Sequence, residues 1–227
     1  MISPASLVVF DLDDTLYPEA DYARSALNYA GQVIAEIYGL HDVAEFLQAR
    51  FENGSKNPLN DLWHEENLPA TAKADILSAM RAHKPSIFLP DDSARTLGQL
   101  RNLGIKWAIL TDGRGVTQRQ KIRALGLCDA AGIFISEETG AAKPTLRAFT
   151  QISERFPESR SFIYIADNPQ KDFVTPNALG WKTYMLRDQG RNIHSQRVSV
   201  PTAFQAEHCI SNLTEIFEAP GSNVRQG

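Results

Sequence analysis

Short apolar runs that lead into polar or acidic residues constrain the fold of this chain more than any other feature. Leu7-Val8-Val9-Phe10 is followed directly by Asp11-Leu12-Asp13-Asp14-Thr15. A continuous apolar run of this length is typical of a strand that is buried on both faces of a parallel sheet. Four further runs predict strands, namely Ile105 to Leu110, Gly132 to Ile135, Phe162 to Ile165 and Lys182 to Leu186.

Helical patterns separate these runs. A helix capped by Asp91-Asp92-Ser93 would place Leu97, Leu100 and Leu103 on one face. Gly104 would then end this helix. The other helices predicted between strands run from Val116 to Leu125, from Leu146 to Phe156, and from near Gln170 to Gly180. Strands that alternate with helices indicate an open parallel α/β sheet.

Residues 17–88 depart from this alternation. Helical patterns follow one another here with little strand signal, over Tyr22 to Tyr38, Asp42 to Phe51, Pro58 to Glu66 and Thr71 to His83. A helical block placed after the first strand indicates an inserted lid; the alternative is that these helices cover the sheet. We expect a core of residues 1–16 and 89–227 and a helical cap of residues 17–88.

Composition and charge limit the class of partner. The formal net charge of -4 predicts no basic surface for a nucleic-acid polymer or an anionic membrane. No window approaches the ~20 consecutive apolar residues of a membrane span. We therefore expect a cytoplasmic protein with a small-molecule partner and without an obligate protein partner.

Cysteine and histidine usage predicts neither a disulfide framework nor a histidine metal site. Cys128 and Cys209 lie far apart and next to apolar residues, so we expect two small buried side chains in a reducing compartment. The histidines form no metal-ligand spacing and are expected to be ordinary surface or packed residues: His41, His64, His83, His194 and His208.

Ligands in open parallel sheets bind at the carboxyl ends of the strands. The first predicted strand ends at Asp11, the second at Thr111-Asp112-Gly113, and the fourth at Asp167-Asn168, with Asp172 shortly after. Lys143-Pro144 opens the helix before the fourth strand. Three acidic clusters, a hydroxyl and a lysine would therefore converge on one edge of the sheet.

Converging carboxylates repel one another unless a cation lies among them, and such oxygen ligands suit Mg²⁺. Lys143 and the backbone N–H groups around Leu12, Asp13, Asp112 and Gly113 could hold phosphoryl oxygens. Two carboxylates spaced i and i+2 can take separate roles, since one can attack while the other transfers a proton. Each of the four groups alone also has a purely structural interpretation, such as helix capping. It is improbable that all four structural interpretations hold together for groups that follow one another in this order at the strand ends.

These groups together resemble the haloacid dehalogenase superfamily, in particular its phosphatases. Four segments carry the resemblance: Phe10-Asp11-Leu12-Asp13-Asp14-Thr15-Leu16, Ile109-Leu110-Thr111-Asp112-Gly113, Lys143-Pro144, and Tyr164-Ile165-Ala166-Asp167-Asn168-Pro169-Gln170-Lys171-Asp172-Phe173. The resemblance implies a Rossmann-like core, a helical cap and hydrolysis of a small phosphomonoester such as a sugar phosphate or nucleotide.

The resemblance also implies roles for the carboxylates. Asp11 would be the nucleophile, forming a phospho-aspartate, and Asp13 the general acid and base. Asp11, Asp167 and the backbone carbonyl of Asp13 would ligate Mg²⁺, with Asp172 nearby through water.

The remaining implied roles concern the substrate. Thr111 and Lys143 would bind the phosphoryl group. Tyr17, just past the catalytic loop, and Arg24, in the first cap helix, are our candidates for contact with the leaving group.

Three alternatives bear on the reaction class. The first alternative is a phosphomutase of the same superfamily, which the sequence does not exclude. A dehalogenase lacks the carboxylate that Asp13 supplies two residues after the nucleophile. A phospho-accepting receiver domain would carry its acceptor aspartate after the third strand, where this chain has Ile135-Ser136.

Overall fold

A parallel sheet forms the centre of the fold. The computed structural model describes residues 2–218, so residues 1 and 219–227 of the predicted core lie outside the described part. Within it, six strands pair in parallel in the order β3-β2-β1-β4-β5-β6. Their bounds are β1 Ser6–Phe10, β2 Lys106–Thr111, β3 Gly132–Ile135, β4 Ser161–Ala166, β5 Lys182–Leu186 and β6 His208–Ile210. The predicted parallel α/β sheet is confirmed.

The register of the central strands brings their carboxyl ends to one level. Phe10, the last residue of β1, lies opposite Ile109 of β2 and Ile165 of β4. The backbone N–H of Asp11 continues this pairing by donating to the carbonyl of Ile165 at 2.9 Å. Residues that follow β1, β2 and β4 therefore meet at the same edge.

Helices occupy the connections. Their bounds are α1 Glu19–Tyr38, α2 Val43–Glu52, α3 Pro58–Glu65, α4 Lys73–Ala82, α5 Asp91–Asn102, α6 Gly115–Ala124, α7 Ser136–Thr139, α8 Leu146–Arg155 and α9 Val174–Ala178. Short 3-10 helices add Ala70–Ala72, Thr202–Phe204 and Leu213–Phe217. The run α1 to α4 follows β1 directly, so the expected helical insertion is present.

The chain divides into two compact units. The core unit comprises Met1–Glu19, Leu89–Gly115 and Leu127–Gly227, and the helical unit comprises Ala20–Phe88 and Val116–Gly126. The helical unit thus contains most of α6, a segment that lies within the core range expected from the sequence. Inside the helical unit, the Thr117 hydroxyl donates to the carbonyl of Arg81 at 3.3 Å.

Aromatic packing anchors one side of the sheet in the core unit. Phe149 of α8 packs edge-on against Tyr164 of β4, with ring centroids 5.3 Å apart, and against Trp181 at 5.7 Å. Leu7 and Val9 of β1 join the same buried cluster. Edge-to-face pairs of this kind contribute about 0.5–1.5 kcal/mol beyond the area they bury, and they fix the strand that precedes Asp167.

The helical unit has its own apolar core. Leu27, Ile34 and Leu47 are buried in a cluster built from α1, α2, α3 and α4. Gly31 lets α1 and α2 approach closely, because a Cβ at this position would lie 2.5 Å from the Cα of Ala44. An independent core of this size is what a separately folded insertion requires.

Two local expectations were wrong, and one strand was not predicted. The helix expected from Gln170 to Gly180 is only α9, Val174–Ala178, because the Asp172 carboxylate accepts the N–H of Asn168 at 2.9 Å and holds a turn there. The N-cap of α5 is Pro90, which places Asp91 and Asp92 in the first turn. Strand β6 was not predicted, since three residues are too few for an alternation pattern.

Cys128 and Cys209 are both exposed, contrary to the expectation of burial. Their apolar sequence neighbours face the interior while the thiols lie at a loop and at the edge strand. In residues 2–218, no helix combines the length and apolarity needed to cross a membrane.

Candidate active site

The loop after β1 is a tight turn built on its own acidic residues. Asp11 is 4% exposed, and its Oδ1 accepts the N–H of Leu12 at 2.8 Å. Asp14 adopts a left-handed conformation with φ of 56°. Its carboxylate accepts the N–H groups of Glu19 at 2.8 Å and Ile193 at 3.0 Å. The loop is therefore shaped by Asp14, which leaves Asp11 and Asp13 for other contacts.

Asp13 lies on the same loop but is half-buried, and the hydroxyl of Tyr17 donates to its Oδ1 at 2.5 Å. Tyr17 is itself 2% exposed. This side chain was expected to contact the leaving group of a substrate. Its hydroxyl lies against the candidate general acid, and the expected contact with a leaving group stays a prediction.

Three carboxylates meet at the edge of the sheet. One oxygen each from Asp11, Asp167 and Asp172 lies within 4.8 Å of the other two, and all three residues are buried. The structure thus brings together the first and fourth acidic clusters. Asp13 contributes no carboxylate oxygen to this trio, and its expected metal contact through the backbone carbonyl stays a prediction.

Lys143 holds two of these carboxylates. Its Nζ lies 3.0 Å from Oδ1 of Asp11 and 2.7 Å from Oδ1 of Asp172, and its side chain is completely buried. The hydroxyl of Tyr164 completes the network, accepting from Lys143 at 3.1 Å and donating to Asp172 at 3.2 Å. Burial acts to lower the pKa of the Lys143 ammonium, but Asp11 and Asp172 outweigh it, so this pKa lies well above its ordinary value.

The acidic trio is electrostatically strained without a further cation. Burial raises the pKa of the Asp11 carboxyl to about 6, although Lys143 acts in the opposite direction. Burial, followed by the charges of Asp11 and Asp172, raises the pKa of Asp167 to about 8. When all three carboxylates are ionised, the Lys143 ammonium that contacts Asp11 and Asp172 leaves the trio with an excess of negative charge. Hard oxygen donors with this charge fit one divalent cation of the Mg²⁺ type.

The second predicted cluster closes the other side of the site. Thr111 is the last residue of β2 and is 1% exposed. Asp112 accepts the backbone N–H of Lys143 at 3.1 Å, which fixes the loop that carries this lysine. Gly113 has a φ of 139°, a conformation that side chains disfavour, and its N–H donates to the Ser136 hydroxyl at 2.9 Å.

These groups line one recess of the core unit. Residues predicted from the sequence supply part of its wall: Asp11, Asp13, Thr111, Asp112 and Asp167. The remaining lining residues were not predicted as site residues: Asp14, Glu19, Asn168, Lys171 and His194. Lys143 is not one of the residues that line the recess, but its ammonium contacts Asp11.

Lys171 is the most informative of the missed residues. Its Nζ lies 3.5 Å from Oδ2 of Asp112, and it places a second ammonium at the recess. Its position one residue before Asp172 in the fourth motif was the available signal. His194 and Asn192, whose amide donates to Oδ2 of Asp167 at 2.9 Å, carry no motif signal.

Arg24 belongs to the helical unit, where two carboxylates engage its guanidinium. Its Nε donates to Glu52 at 2.7 Å and its Nη1 to Asp21 at 3.0 Å. The expected contact between Arg24 and a substrate therefore stays a prediction, and it would require this guanidinium to share or exchange its present partners.

Comparison with known proteins identifies the class to which this fold and site belong. A family model described as haloacid dehalogenase-like hydrolase matches residues 5–180. The chain belongs to the haloacid dehalogenase-like hydrolase family. The resemblance inferred from the four motifs is thereby confirmed.

Two relatives that the chain matches over most of its length are named as phosphatases. The chain is 30% identical over 199 residues to a glyceraldehyde 3-phosphate phosphatase of Methanopyrus kandleri, covering 79% of this chain and 83% of the relative. It is 28% identical over 235 residues to a ribulose-1,5-bisphosphate 5-phosphatase of Halopiger xanaduensis, covering 94% and 98%.

A solved structure shares the fold. The HAD-hydrolase of Bacillus subtilis, crystallised with bound magnesium, has a TM-score of 0.63 and 21% identity, covering 93% of this chain and 96% of that chain.

Proposed function

We propose that this chain is a Mg²⁺-dependent phosphatase that hydrolyses a small phosphomonoester, of the sugar phosphate class, through a phospho-aspartate on Asp11. One observation carries the proposal. A buried, lysine-held carboxylate stands beside two further acids at the edge of the sheet, and a half-buried carboxylate follows it by two residues. The phosphatase names of the relatives support the same reaction.

The metal would be held by Asp11, Asp167 and the backbone carbonyl of Asp13. Asp172 would support the site in two ways, by its contact with Lys143 and by a water molecule that contacts the metal. When bound, Mg²⁺ would offset the charge of the carboxylates and of the phosphoryl oxygens. The excess of carboxylates over ammonium groups around this trio supports such a role.

The Asp11 carboxylate would attack the phosphorus atom, forming an O–P bond as the bond to the leaving oxygen breaks. Asp13, in its protonated form, would give its proton to the leaving oxygen. Water would then attack the phospho-aspartate while Asp13 takes a proton from it, which releases phosphate and restores Asp11. Tyr17 would hold Asp13 in reach of both events.

The phosphoryl group would be held by Thr111, by the Lys143 ammonium, and by backbone N–H groups of the loops that carry Leu12, Asp112 and Gly113. Preorganised donors at developing negative charge are usually the largest single contribution to catalysis of this type. Lys171 adds a second ammonium at the recess and supports the binding of an anionic substrate.

Discrimination between substrates is assigned to the helical unit acting as a cap. The core groups named above address only the phosphoryl unit, which every phosphomonoester shares. Groups that recognise the leaving group must come from elsewhere, and a separately folded insertion after the first strand is a suitable source. Closure of such a cap would also exclude water from the reaction.

Phosphate release from a panel of sugar phosphates, nucleotides and small organic phosphates tests the proposal. Multiple turnovers that require Mg²⁺ are expected, with preference for a sugar phosphate. Self-labelling of the protein about once, without phosphate release, would indicate a receiver-like module. Halide release from 2-haloacids without phosphate release would indicate a dehalogenase.

A further inference from the structure

The segment between β5 and β6 is an ordered turn built on Asp188. Oδ1 of this residue accepts three successive backbone N–H groups, from Gly190 at 2.7 Å, Arg191 at 2.9 Å and Asn192 at 3.1 Å. Three N–H groups that converge on one carboxylate oxygen fix the backbone of all four residues. The backbone position of Asn192 is therefore set by the turn and does not depend on the contacts of its side chain.

Gln196 fastens this turn to the acidic edge of the sheet. Its amide nitrogen donates to the carbonyl of Asp167 and to that of Leu186, both at 2.8 Å, and its Oε1 accepts the N–H of Asp188 at 2.8 Å. The segment is thus tied at once to the end of β4 and to the end of β5.

Two acidic residues of the site receive hydrogen bonds from the anchored segment. Nδ2 of Asn192 donates to Oδ2 of Asp167 at 2.9 Å, and the N–H of Ile193 donates to Oδ2 of Asp14 at 3.0 Å. Asp167 is 4% exposed, so few other donors can reach its carboxylate. Neither Asn192 nor Ile193 lies in the range 5–180 that the family model matches.

We propose that Asn192 is a positioning residue for the metal site, holding one oxygen of Asp167 so that the other is presented to Mg²⁺. This inference rests on the proposed function, in which Asp167 is a metal ligand. A carboxylate that ligates through one oxygen is free to rotate unless the second oxygen is fixed. Hydrogen bonds from such supporting residues typically contribute 10–100-fold to metal affinity.

A purely structural role for the Asn192 side chain would predict a different outcome. The shape of the turn is held by Asp188 and Gln196, so removal of the Asn192 amide should leave the segment folded. Gln189 offers a matched control on the same segment, since its amide donates to the backbone carbonyl of Ser211 at 2.7 Å.

The test is Mn²⁺ binding to the full-length, metal-free chain, followed by electron paramagnetic resonance, with Mg²⁺ as competitor. We expect Asn192→Ala and Asn192→Leu to weaken Mn²⁺ binding by about 10-fold or more. We expect Gln189→Ala to bind like the wild type, and Asn192→Gln, which keeps an amide donor, to recover part of the loss. Thermal unfolding of each variant checks that the fold is retained.

Asp167→Asn serves as the reference variant. If Asp167→Asn binds Mn²⁺ as the wild type does, the metal site of the proposed function is wrong. If Asp167→Asn weakens binding while both Asn192 variants match the wild type, the role of Asn192 is overturned and the proposed function stands. Equal losses in Gln189→Ala and Asn192→Ala would also overturn it, since a general loosening of the turn would then explain the effect.

Discussion

The hydroxyl of Tyr17 donates a hydrogen bond to Oδ1 of Asp13 at 2.5 Å. The donor is buried and the carboxylate is half-buried at the recess. A short hydrogen bond to a carboxylate is among the stronger neutral-to-charged contacts in proteins, and it restricts the rotation of the acceptor. Tyr17 therefore restrains the candidate general acid, Asp13, which lies four residues earlier in the chain.

Replacement of Tyr17 by Phe removes this hydrogen bond and keeps the ring. We expect kcat to fall by about tenfold, equivalent to about 1.4 kcal/mol, for alkyl phosphates, with little change in KM. The loss should be smaller for 4-nitrophenyl phosphate, whose leaving group needs no proton. Steady-state kinetics with both substrates measure this difference. The same loss in kcat for both would show that Tyr17 does not act through Asp13.

Replacement of Asp11 and of Asp13 by asparagine should have different effects on turnover and on phosphoenzyme formation. Asp11→Asn removes the nucleophile and should abolish both turnover and the trapped phosphoenzyme. Asp13→Asn keeps the nucleophile and should lower the rate by roughly 10² to 10⁴. The reaction with a radiolabelled substrate is quenched with acid, and the radiolabel bound to the protein is counted. This measurement of the phosphoenzyme distinguishes the two variants. Wild-type turnover in Asp11→Asn would contradict the mechanism.

Metal binding should depend on pH in a direction set by the raised pKa values. The pKa of about 6 for Asp11 and about 8 for Asp167 mean that protons compete with the metal below these values. Affinity should therefore rise from pH 6 to pH 8, by up to about tenfold per unit for each proton displaced. Mn²⁺ titration at pH 6, 7 and 8 measures the slope, and a flat profile would contradict it.

Chelation should abolish hydrolysis and Mg²⁺ should restore it.

Lys143 should matter for stability as well as for substrate binding, because its ammonium neutralises buried acids. Lys143→Met leaves Asp11 and Asp172 without their cation, and we expect a loss of about 3–5 kcal/mol in the free energy of unfolding without metal. Lys106→Met is the matched control, since Lys106 pairs with Glu158 at 2.6 Å on the exposed surface. Its loss should be below ~1 kcal/mol. Urea unfolding compares the two, and equal losses would argue against the buried network.

Replacement of Arg24 tests the proposal that the helical unit determines substrate specificity. Arg24→Ala should change the relative kcat/KM among natural phosphates, while a small aryl phosphate is affected less. Arg50→Ala is the control, because Arg50 pairs with Glu65 at 2.8 Å in the same unit. A uniform loss across all substrates would place Arg24 in structural support through Asp21 and Glu52.

The sequence by itself determined the sheet and the order of the site. Short, mostly apolar runs of four to six residues predict the strands, and β3 and β5 begin and end at the predicted residues. A parallel sheet then brings all carboxyl strand ends to one edge. For this reason the positions of Asp11 and Asp167 directly after their strands predict that the two carboxylates lie close together.

Only the tertiary structure decided which side chains act on one another. Asn192 lies 25 residues after Asp167, and Ile193 lies 179 residues after Asp14. No local period encodes such pairs, because they depend on how the segment after β5 folds back and packs. The grouping of Val116–Gly126 with the helical unit and the exposure of both cysteines were likewise set by packing between segments distant in the chain. Local sequence sets where each of the five predicted strands begins, to within one residue, whereas long-range burial and hydrogen bonding set the partners of their side chains.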